Sequence, residues 1–300
     1  MMVLTEQPKL TLIADVRNDI GETPIWSPDE LALYWIDCEV NPRLFRWSSR
    51  DDEVRSWGMP ERLGGLALRA NAGPMVALHS GLFDLDLESG RLIKRVDSPL
   101  NEHCSLHEAR CDPTGRLWIG AIDHRLGRDN LAPRGGSFFQ LKGDRLEPMF
   151  DGVSCSNGLA FSPDGRTLYH CDSPTGVVER WSVDPSSGAL SDRRAFVHFP
   201  ADESGGFDGA TVDAEGAYWA TAVFGSALLR FLPDGTADRR IALPFSAPTS
   251  LAFGGPDMDT LFITSTRQEL LGRIPTKVPN GAIYAFKPGV KGLPEPLLRP

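Results

Sequence analysis

The sequence predicts an all-β protein folded as a six-bladed β-propeller. Three observations support this prediction. First, 30 glycines and 24 prolines among 300 residues interrupt the chain at short intervals. Second, long stretches with the 3.6-residue period of an amphipathic helix are hard to find. Third, one unit recurs six times: an apolar run, a turn of Pro, Asp, Asn or Gly, and a second alternating run, which is the pattern of a β-hairpin.

The six hairpins follow one another along the chain. They are GETPIWSPDELALYWID (21–37), LGGLALRANAGPMVAL (63–78), LHEARCDPTGRLWIGA (106–121), SNGLAFSPDGRTLYHCD (156–172), FDGATVDAEGAYWATA (207–222) and PTSLAFGGPDMDTLFITS (248–265). Their turns are marked by Pro28, Ala70, Pro113, Pro163, Ala214 and Gly255, with spacings of 42, 43, 50, 51 and 41 residues. A period of about 40–50 residues is typical of a four-stranded propeller blade. We therefore expect one six-bladed domain over residues 1–300, in which residues 1–21 add a strand to the last blade and close the ring.

The second residue of each hairpin, six residues before the turn marker, occupies an equivalent position in the repeat. The residues there are Glu22, Gly64, His107, Asn157, Asp208 and Thr249. Because the innermost strands of a propeller line its central channel, these positions form one ring around the axis. The oxygens of Glu22, Asn157 and Asp208 suit a hard divalent cation, and three ligands leave positions open for water and substrate. The other interpretation, that these residues only solvate a channel, is weaker because two facing carboxylates repel unless they are neutralised.

Composition narrows the possible partners. The net charge of −9 and the pI near 5.2 argue against a surface for nucleic acid or anionic membranes. The start of the chain lacks the pattern of a signal peptide, and no run approaches the roughly 18 apolar residues of a membrane helix. Five cysteines without a C-x-x-C pair indicate neither a disulfide framework nor a zinc site. We expect a cytoplasmic protein whose partner is a small-molecule substrate.

Three segments carry a resemblance to a known family. GETPIW, SNGLAFSPDG and FDGATVD resemble the signature segments of the family of senescence-marker protein (regucalcin) and gluconolactonase. The resemblance extends over nearly the whole chain. It implies a six-bladed propeller with one divalent cation in its channel (Ca, Zn, Mn, Mg or Fe) and the hydrolysis of sugar lactones. It also implies the metal ligands Glu22, Asn157 and Asp208, which are the three that the repeat selects.

One segment departs from the family pattern. Sugar lactonases of the family read R-x-N-D-G where this chain has Ser105, His107 and Glu108 at the Arg, Asn and acidic positions. With Asn157, these three residues are the predicted substrate contacts. His107 is open to several roles: a substrate contact, a further metal ligand, a proton shuttle, or a channel-lining residue without a catalytic role. Because Ser105 replaces a charged donor, we expect weaker recognition of polyhydroxylated or anionic substrates. Gluconolactone should then be a poor substrate, and a differently substituted or less polar lactone, recognised partly by His107, should be preferred.

Together these residues predict a metal-dependent hydrolase that opens a lactone. The cation would bind the carbonyl oxygen, and Asp208 is the predicted general base, with His107 as second choice. Two alternatives stay open: a propeller that hydrolyses phosphotriesters, and a metal-binding propeller without enzymatic activity. The sequence identifies neither the metal, nor the lactone, nor the oligomeric state.

Overall fold

The structure, a computed structural model, describes residues 4–127, 134–201, 203–270, 272–276 and 280–299. Within these residues the strands form six sheets, and the innermost strand of each sheet contacts the innermost strands of its two neighbours in a closed ring. The predicted all-β, six-bladed propeller is thereby confirmed. In the described part of the chain there is no helix with the length and apolar character required to cross a membrane.

Two strands, β1 (Leu4–Glu6) and β2 (Thr11–Ala14), precede the blades. Blade 1 contains β3 (Gly21–Ser27), β4 (Ala32–Asp37), β5 (Arg43–Ser48) and β6 (Val54–Gly58). Blade 2 contains β7 (Leu63–Arg69), β8 (Ala72–Leu78), β9 (Gly81–Leu85) and β10 (Leu92–Asp97). Blade 3 contains β11 (Cys104–Cys111), β12 (Leu117–Asp123), β13 (Gly136–Lys142) and β14 (Arg145–Val153).

Blade 4 contains β15 (Ser156–Phe161), β16 (Thr167–Asp172), β17 (Val177–Val183) and β18 (Leu190–His198), with a short 3₁₀ turn at Ser173–Thr175. Blade 5 contains β19 (Gly206–Val212), β20 (Tyr218–Val223), β21 (Ala227–Phe231) and β22 (Ala237–Ala242). Blade 6 contains β23 (Pro248–Gly254), β24 (Thr260–Ser265) and β25 (Ile283–Phe286). In every blade the strands lie in chain order from the channel outward.

The first two strands are added to the last two blades. β2 pairs antiparallel with β25, where Thr11 lies opposite Ala285, and becomes the fourth strand of blade 6. β1 pairs parallel with β22 and becomes a fifth strand on blade 5. Glu6 supports this second pairing through an ion pair with Arg239 at 2.6 Å. Residues from the start of the chain therefore cover the outer edges of two blades.

Hydrogen bonds tie the hairpin turns to the packed core. The indoles of Trp118 and Trp219 are fully buried between blades. Each indole donates its Nε1–H to an aspartate at the turn of its own hairpin, Trp118 to Asp112 at 3.0 Å and Trp219 to Asp213 at 2.8 Å. The same aspartates accept backbone N–H groups of the turns. One carboxylate thus stabilises both a tight turn and a core tryptophan, in blades 3 and 5 alike.

The segment 291–299 crosses the face of the propeller that carries the hairpin turns. The N–H of Leu298 donates to the carbonyl of Leu68 in blade 2 at 2.8 Å. Glu295 forms a partly buried ion pair with Arg110 of blade 3, at 2.6 Å. Because the ring residues lie near the starts of the innermost strands, this segment is at the opposite end of the channel from them.

Candidate active site at the channel mouth

The innermost strand of each blade has an irregular pairing close to its start. The register shift falls at or beside the predicted ring position in all six blades. In blades 1, 3 and 4 the residue after the ring position has a left-handed backbone: Thr23 (φ 48°), Glu108 (φ 51°) and Gly158 (φ 67°). Such a bulge changes the direction in which side chains leave the strand. The side chains of the polar ring residues therefore need not follow the in-and-out alternation of a regular strand.

Three buried carboxyl groups, those of Glu22, Glu108 and Asp208, lie in the channel. Burial raises the pKa of Glu22 to about 8 and the pKa of Glu108 to about 8. Burial also raises the pKa of Asp208 well above its usual range, and the charges of Glu22 and Glu108 raise it further. Since the charge of Glu22 acts on Glu108 and the charges of both act on Asp208, the three groups lie near one another, although they come from blades 1, 3 and 5.

The donor set fits a hard divalent cation. Among the described residues neither Glu22 nor Asp208 has an ion-pair partner, although the charge of Arg62 acts on Glu22 from a greater distance. In the same ranges no three His, Cys, Asp or Glu side chains are grouped closely enough to hold a metal ion by themselves. The amide oxygen of Asn157, at the equivalent ring position of blade 4, is a candidate for a third donor beside Glu22 and Asp208. Carboxylate and amide oxygens are the ligands that hard cations prefer.

Hydrogen bonds fix which way the amide of Asn157 points. The hydroxyl of Ser173 donates its one proton to the carbonyl of Phe207, at 2.9 Å. It can therefore only accept from Asn157, whose Nδ2 lies 2.8 Å away. The amide nitrogen is thus committed to Ser173, and the amide oxygen is left for the channel.

The bulge that carries Asn157 is held by both neighbouring blades. The shift in pairing between Asn157 and Ala160 takes the intervening backbone groups out of the ladder. The carboxylate of Glu108 accepts the N–H of Leu159 at 3.0 Å, and the hydroxyl of Tyr218 donates to the carbonyl of Gly158 at 2.9 Å. The partner that the structure gives Glu108 is therefore backbone, and its substrate contact stays a prediction.

A guanidinium sets the tautomer of His107. The Nη2 of Arg62 lies 3.2 Å from Nδ1 of His107, and because arginine can only donate, Nδ1 accepts and the ring proton is on Nε2. His107 also forms a side-chain hydrogen bond with Asn157, which this tautomer directs from Nε2–H to the amide oxygen. Burial, and then the charge of Arg62, hold the pKa of His107 well below its usual range, so the ring is neutral. Both ring nitrogens are therefore engaged.

Although Ser105 stands at the position of the family's arginine, a guanidinium reaches this part of the site from the neighbouring blade. Arg62 crosses from blade 2 to blade 3, where its Nη1 donates to the carbonyl of Leu106 at 2.9 Å. Gly64 makes the crossing possible, because a Cβ there would lie 1.8 Å from that carbonyl oxygen and 2.9 Å from Nη1 of Arg62. The repeat contained the signal: Arg62 stands two residues before Gly64, as Ser105 stands two residues before His107.

The side chains of Ser105 and Thr249 form hydrogen bonds with other residues of the protein. Ser105 is fully buried, and its Oγ lies 2.7 Å from both Nδ1 of His79 and Nε2 of His124, two histidines that the sequence analysis did not single out. Thr249, the ring residue of blade 6, is also fully buried and donates to the carbonyl of Gly21 in blade 1. Thr249 therefore joins two blades and contributes nothing to the channel surface.

Comparisons with known proteins identify the family of the chain. Residues 20–267 match the family model described as the SMP-30/Gluconolactonase/LRE-like region. The chain is 38% identical over 282 residues to 6-deoxy-6-sulfogluconolactonase from Pseudomonas putida, which covers 93% of this chain and 94% of that protein. It is 33% identical over 260 residues to L-arabinolactonase from Azospirillum brasilense, with 86% and 84% covered.

A solved structure shows the same fold. The crystal structure of a calcium-binding protein, regucalcin, from Agrobacterium tumefaciens superimposes with a TM-score of 0.90 at 24% identity, and each chain is covered in full. The match to the family model spans most of the chain, and both named relatives are more than 30% identical over most of their length. The chain therefore belongs to the SMP-30/gluconolactonase/LRE-like family.

Proposed function

We propose that this protein hydrolyses a sugar lactone to the sugar acid, with one divalent cation held by Glu22, Asn157 and Asp208. The observation that supports the proposal is that two buried carboxyl groups without an ion-pair partner among the described residues share their ring of equivalent positions with Asn157, whose amide nitrogen is committed to Ser173. Membership of a family in which the relatives named above are lactonases supports the reaction class.

The chemistry divides between the cation and the chain. When bound, the cation would polarise the lactone carbonyl and stabilise negative charge on its oxygen. Asp208 accepts a proton from the attacking water, whose oxygen forms the new bond to the carbonyl carbon. When the bond from that carbon to the ring oxygen breaks, Asp208 returns the proton to the ring oxygen, which becomes a hydroxyl of the product.

His107 takes a supporting part in this scheme. Its Nδ1 accepts from Arg62 and its Nε2–H is directed to the amide oxygen of Asn157, so neither nitrogen is free to take a proton from water. The amide oxygen has a second lone pair, which remains for the cation. The neutral ring therefore orients Asn157, and Asp208 is the better candidate for the general base.

The test measures lactone opening before and after removal of the metal. Protein treated with a chelator, and then supplied with Ca²⁺, Zn²⁺, Mn²⁺, Mg²⁺ or Fe²⁺, is assayed in a pH-stat with gluconolactone and arabinonolactone. We expect activity to disappear with the chelator and to return with at least one of the cations. Asp208→Asn should lower kcat by at least about 100-fold, since a general base contributes that much or more.

A matched variant controls for the change of charge. Asp234 lies exposed in a turn of the same blade, so Asp234→Asn should leave kcat and metal binding unaltered. Full activity of Asp208→Asn, or activity of the wild-type protein that resists the chelator, would contradict the proposal. A phosphotriester in the same assay separates the first alternative, and metal binding without turnover of any substrate would identify the second.

A further inference from the structure

Four side chains form a polar cluster on blades 2 and 3, at the same end of the channel as the candidate metal ligands. Arg62 immediately precedes β7 and His79 immediately follows β8, while Ser105 lies near the start of β11 and His124 follows β12. All four positions are therefore at one end of their blades. Burial and then the charge of Arg62 lower the pKa of His124, which shows that blade 2 and blade 3 face each other here.

Two imidazole nitrogens of this cluster have no hydrogen-bond partner among the described residues. The hydroxyl of Ser105 has one proton and two imidazole neighbours at 2.7 Å, so it donates to one ring and accepts from the other. The second nitrogens, Nε2 of His79 and Nδ1 of His124, have no hydrogen-bond partner among the described residues. With both rings neutral, one of these nitrogens carries a proton and the other a lone pair.

Arg62 adds donors to the same cluster. Three of its five N–H groups are engaged, with Glu39 at 2.6 Å, with the carbonyl of Leu106 and with His107, so two remain. The side chain of Arg62 is only 10% exposed, whereas the side chain of Glu39 is 36% exposed. The cluster therefore offers a largely buried cation and two rings with one unpartnered nitrogen each, and Arg62 itself has one ion-pair partner among the described residues.

We infer that Arg62, His79 and His124 bind an anionic group of the substrate, a sulfonate, phosphate or carboxylate placed away from the lactone ring. The inference rests on the proposed lactonase function and gives it a substrate class. A guanidinium fits two oxygens of such a group at once, and hydrogen bonds between charged partners are about twice as strong as neutral ones. The anion would lie on the side of the mouth away from the acidic residues of blades 1 and 5.

The protons of the cluster limit how an anion can bind. An anionic oxygen repels the lone pair that one imidazole presents, so it would be bound by Arg62 and by the imidazole whose free nitrogen carries the proton. The charged groups that act on His124 are Arg62, Glu39 and Asp123, of which Asp123 is already paired with Arg125.

The experiment compares gluconolactone with analogues that carry a sulfonate or a carboxylate at C6. The measured quantity is the ratio of kcat/KM for the anionic lactone to kcat/KM for gluconolactone. We expect the wild-type ratio to exceed one. Arg62→Gln should lower it by roughly 10- to 100-fold, the effect of losing a hydrogen bond to charge. Arg95→Gln, an exposed arginine of the same blade, should not change it.

A second variant and a binding measurement keep the outcomes separate. If Arg62→Gln does not fold, His79→Gln should lower the same ratio. A ratio that neither variant changes would overturn the inference and leave the lactonase assignment standing. If no lactone is hydrolysed at all, the proposed function fails, and calorimetric binding of the ring-opened 6-sulfonated acid then decides: binding that Arg62→Gln abolishes supports the anion site, and absent or unchanged binding refutes it.

Discussion

Among single residues, His170 is placed to make stability depend on pH. It is buried on β16, and its Nε2 lies 2.9 Å from the hydroxyl of Ser156. Its Nδ1 has no partner among the described residues, and the rings of Phe138 and Phe150 lie edge-on at 5.0 and 5.3 Å. Burial, and then the charge of a nearby arginine, lower the pKa of His170 to about 3. The folded protein therefore keeps this ring neutral where the unfolded chain protonates it.

The sign of the effect follows from this difference. Above pH 6.5 the ring is neutral in both states, and as the pH falls the unfolded state binds the extra proton first, so the folded state loses stability. Between pH 7.5 and pH 5 His170 should lower the free energy of unfolding by about 2 kcal/mol. Urea unfolding at both pH values should show a smaller difference for His170→Gln than for the wild type.

The exposed His198 on the outermost strand of the same blade provides the control. His198→Gln should keep the full wild-type difference between the two pH values. If His170→Gln also keeps it, another group is responsible for the acid sensitivity. Only the difference between pH values is compared, because the substitution at His170 also changes packing.

The residues of the candidate site differ in how far the sequence predicts them. Glu22, Asn157 and Asp208 follow from the register of a repeat, because equivalent positions in successive blades must surround one axis. Arg62 was missed since it acts outside its own blade: its guanidinium crosses to blade 3, through the space that Gly64 leaves. A contact between side chains of different blades depends on how far each side chain extends, and a repeat in the sequence does not encode this.

At the level of secondary-structure elements, the bulge in β15 is the feature that presents Asn157. Gly158 has φ 67°, and a Cβ there would lie 2.6 Å from the hydroxyl of Tyr218 and 3.1 Å from Cys171. An alanine would thus meet both an unfavourable backbone conformation and a close contact. Since the bulge is held by the two neighbouring blades, a shift here would move the amide of Asn157.

Gly158→Ala is therefore expected to reduce both stability and metal binding. Gly143 in a turn of blade 3 has φ 62° but open space around it, so Gly143→Ala measures the backbone cost alone, about 1 kcal/mol. Gly158→Ala should cost more than this in urea unfolding and should also weaken metal binding in a competition assay with a chelator. Equal costs for the two variants, with metal binding retained, would show that the bulge tolerates a side chain.

The sequence predicts hairpins better than it predicts bulges. Turn residues such as the Pro and Gly of SPDG restrict the backbone directly, so the six hairpins and their order could be read from the sequence. Thr23 and Glu108 adopt the left-handed conformation although neither residue type favours it. Contacts with neighbouring blades impose that conformation, as the bond from Leu159 to Glu108 illustrates, and these contacts exist only after the ring has formed.

On the scale of the whole molecule, segment 291–299 connects blades that are not adjacent in sequence to it. The ion pair between Glu295 and Arg110 is its strongest polar contact with blade 3, since both side chains are less than one-fifth exposed. Glu295→Gln leaves the guanidinium without its counter-charge. We expect a loss of about 1–3 kcal/mol in the free energy of unfolding.

Urea unfolding of Glu295→Gln checks this expectation. Glu88→Gln, at an exposed turn of blade 2, removes the same charge without breaking an ion pair and should unfold like the wild type. Limited proteolysis adds a local readout, because a detached segment would be cut before the blades are. Wild-type stability together with wild-type resistance to protease would mean that backbone contacts alone hold the segment.

The pairing of β2 with β25 has a consequence for folding during synthesis of the protein. Thr11 and Ala285 lie opposite each other but are 274 residues apart in the chain. Because β2 is translated before β25, it leaves the ribosome without its pairing partner and stays unpaired until β25 has been translated. Blades 1 to 4 assemble from strands that follow one another in the chain. Blade 6 needs a pairing between two strands that are far apart in the sequence, and such pairings form slowly. Until it forms, two open sheet edges are exposed to other nascent chains, which could donate the missing strand instead.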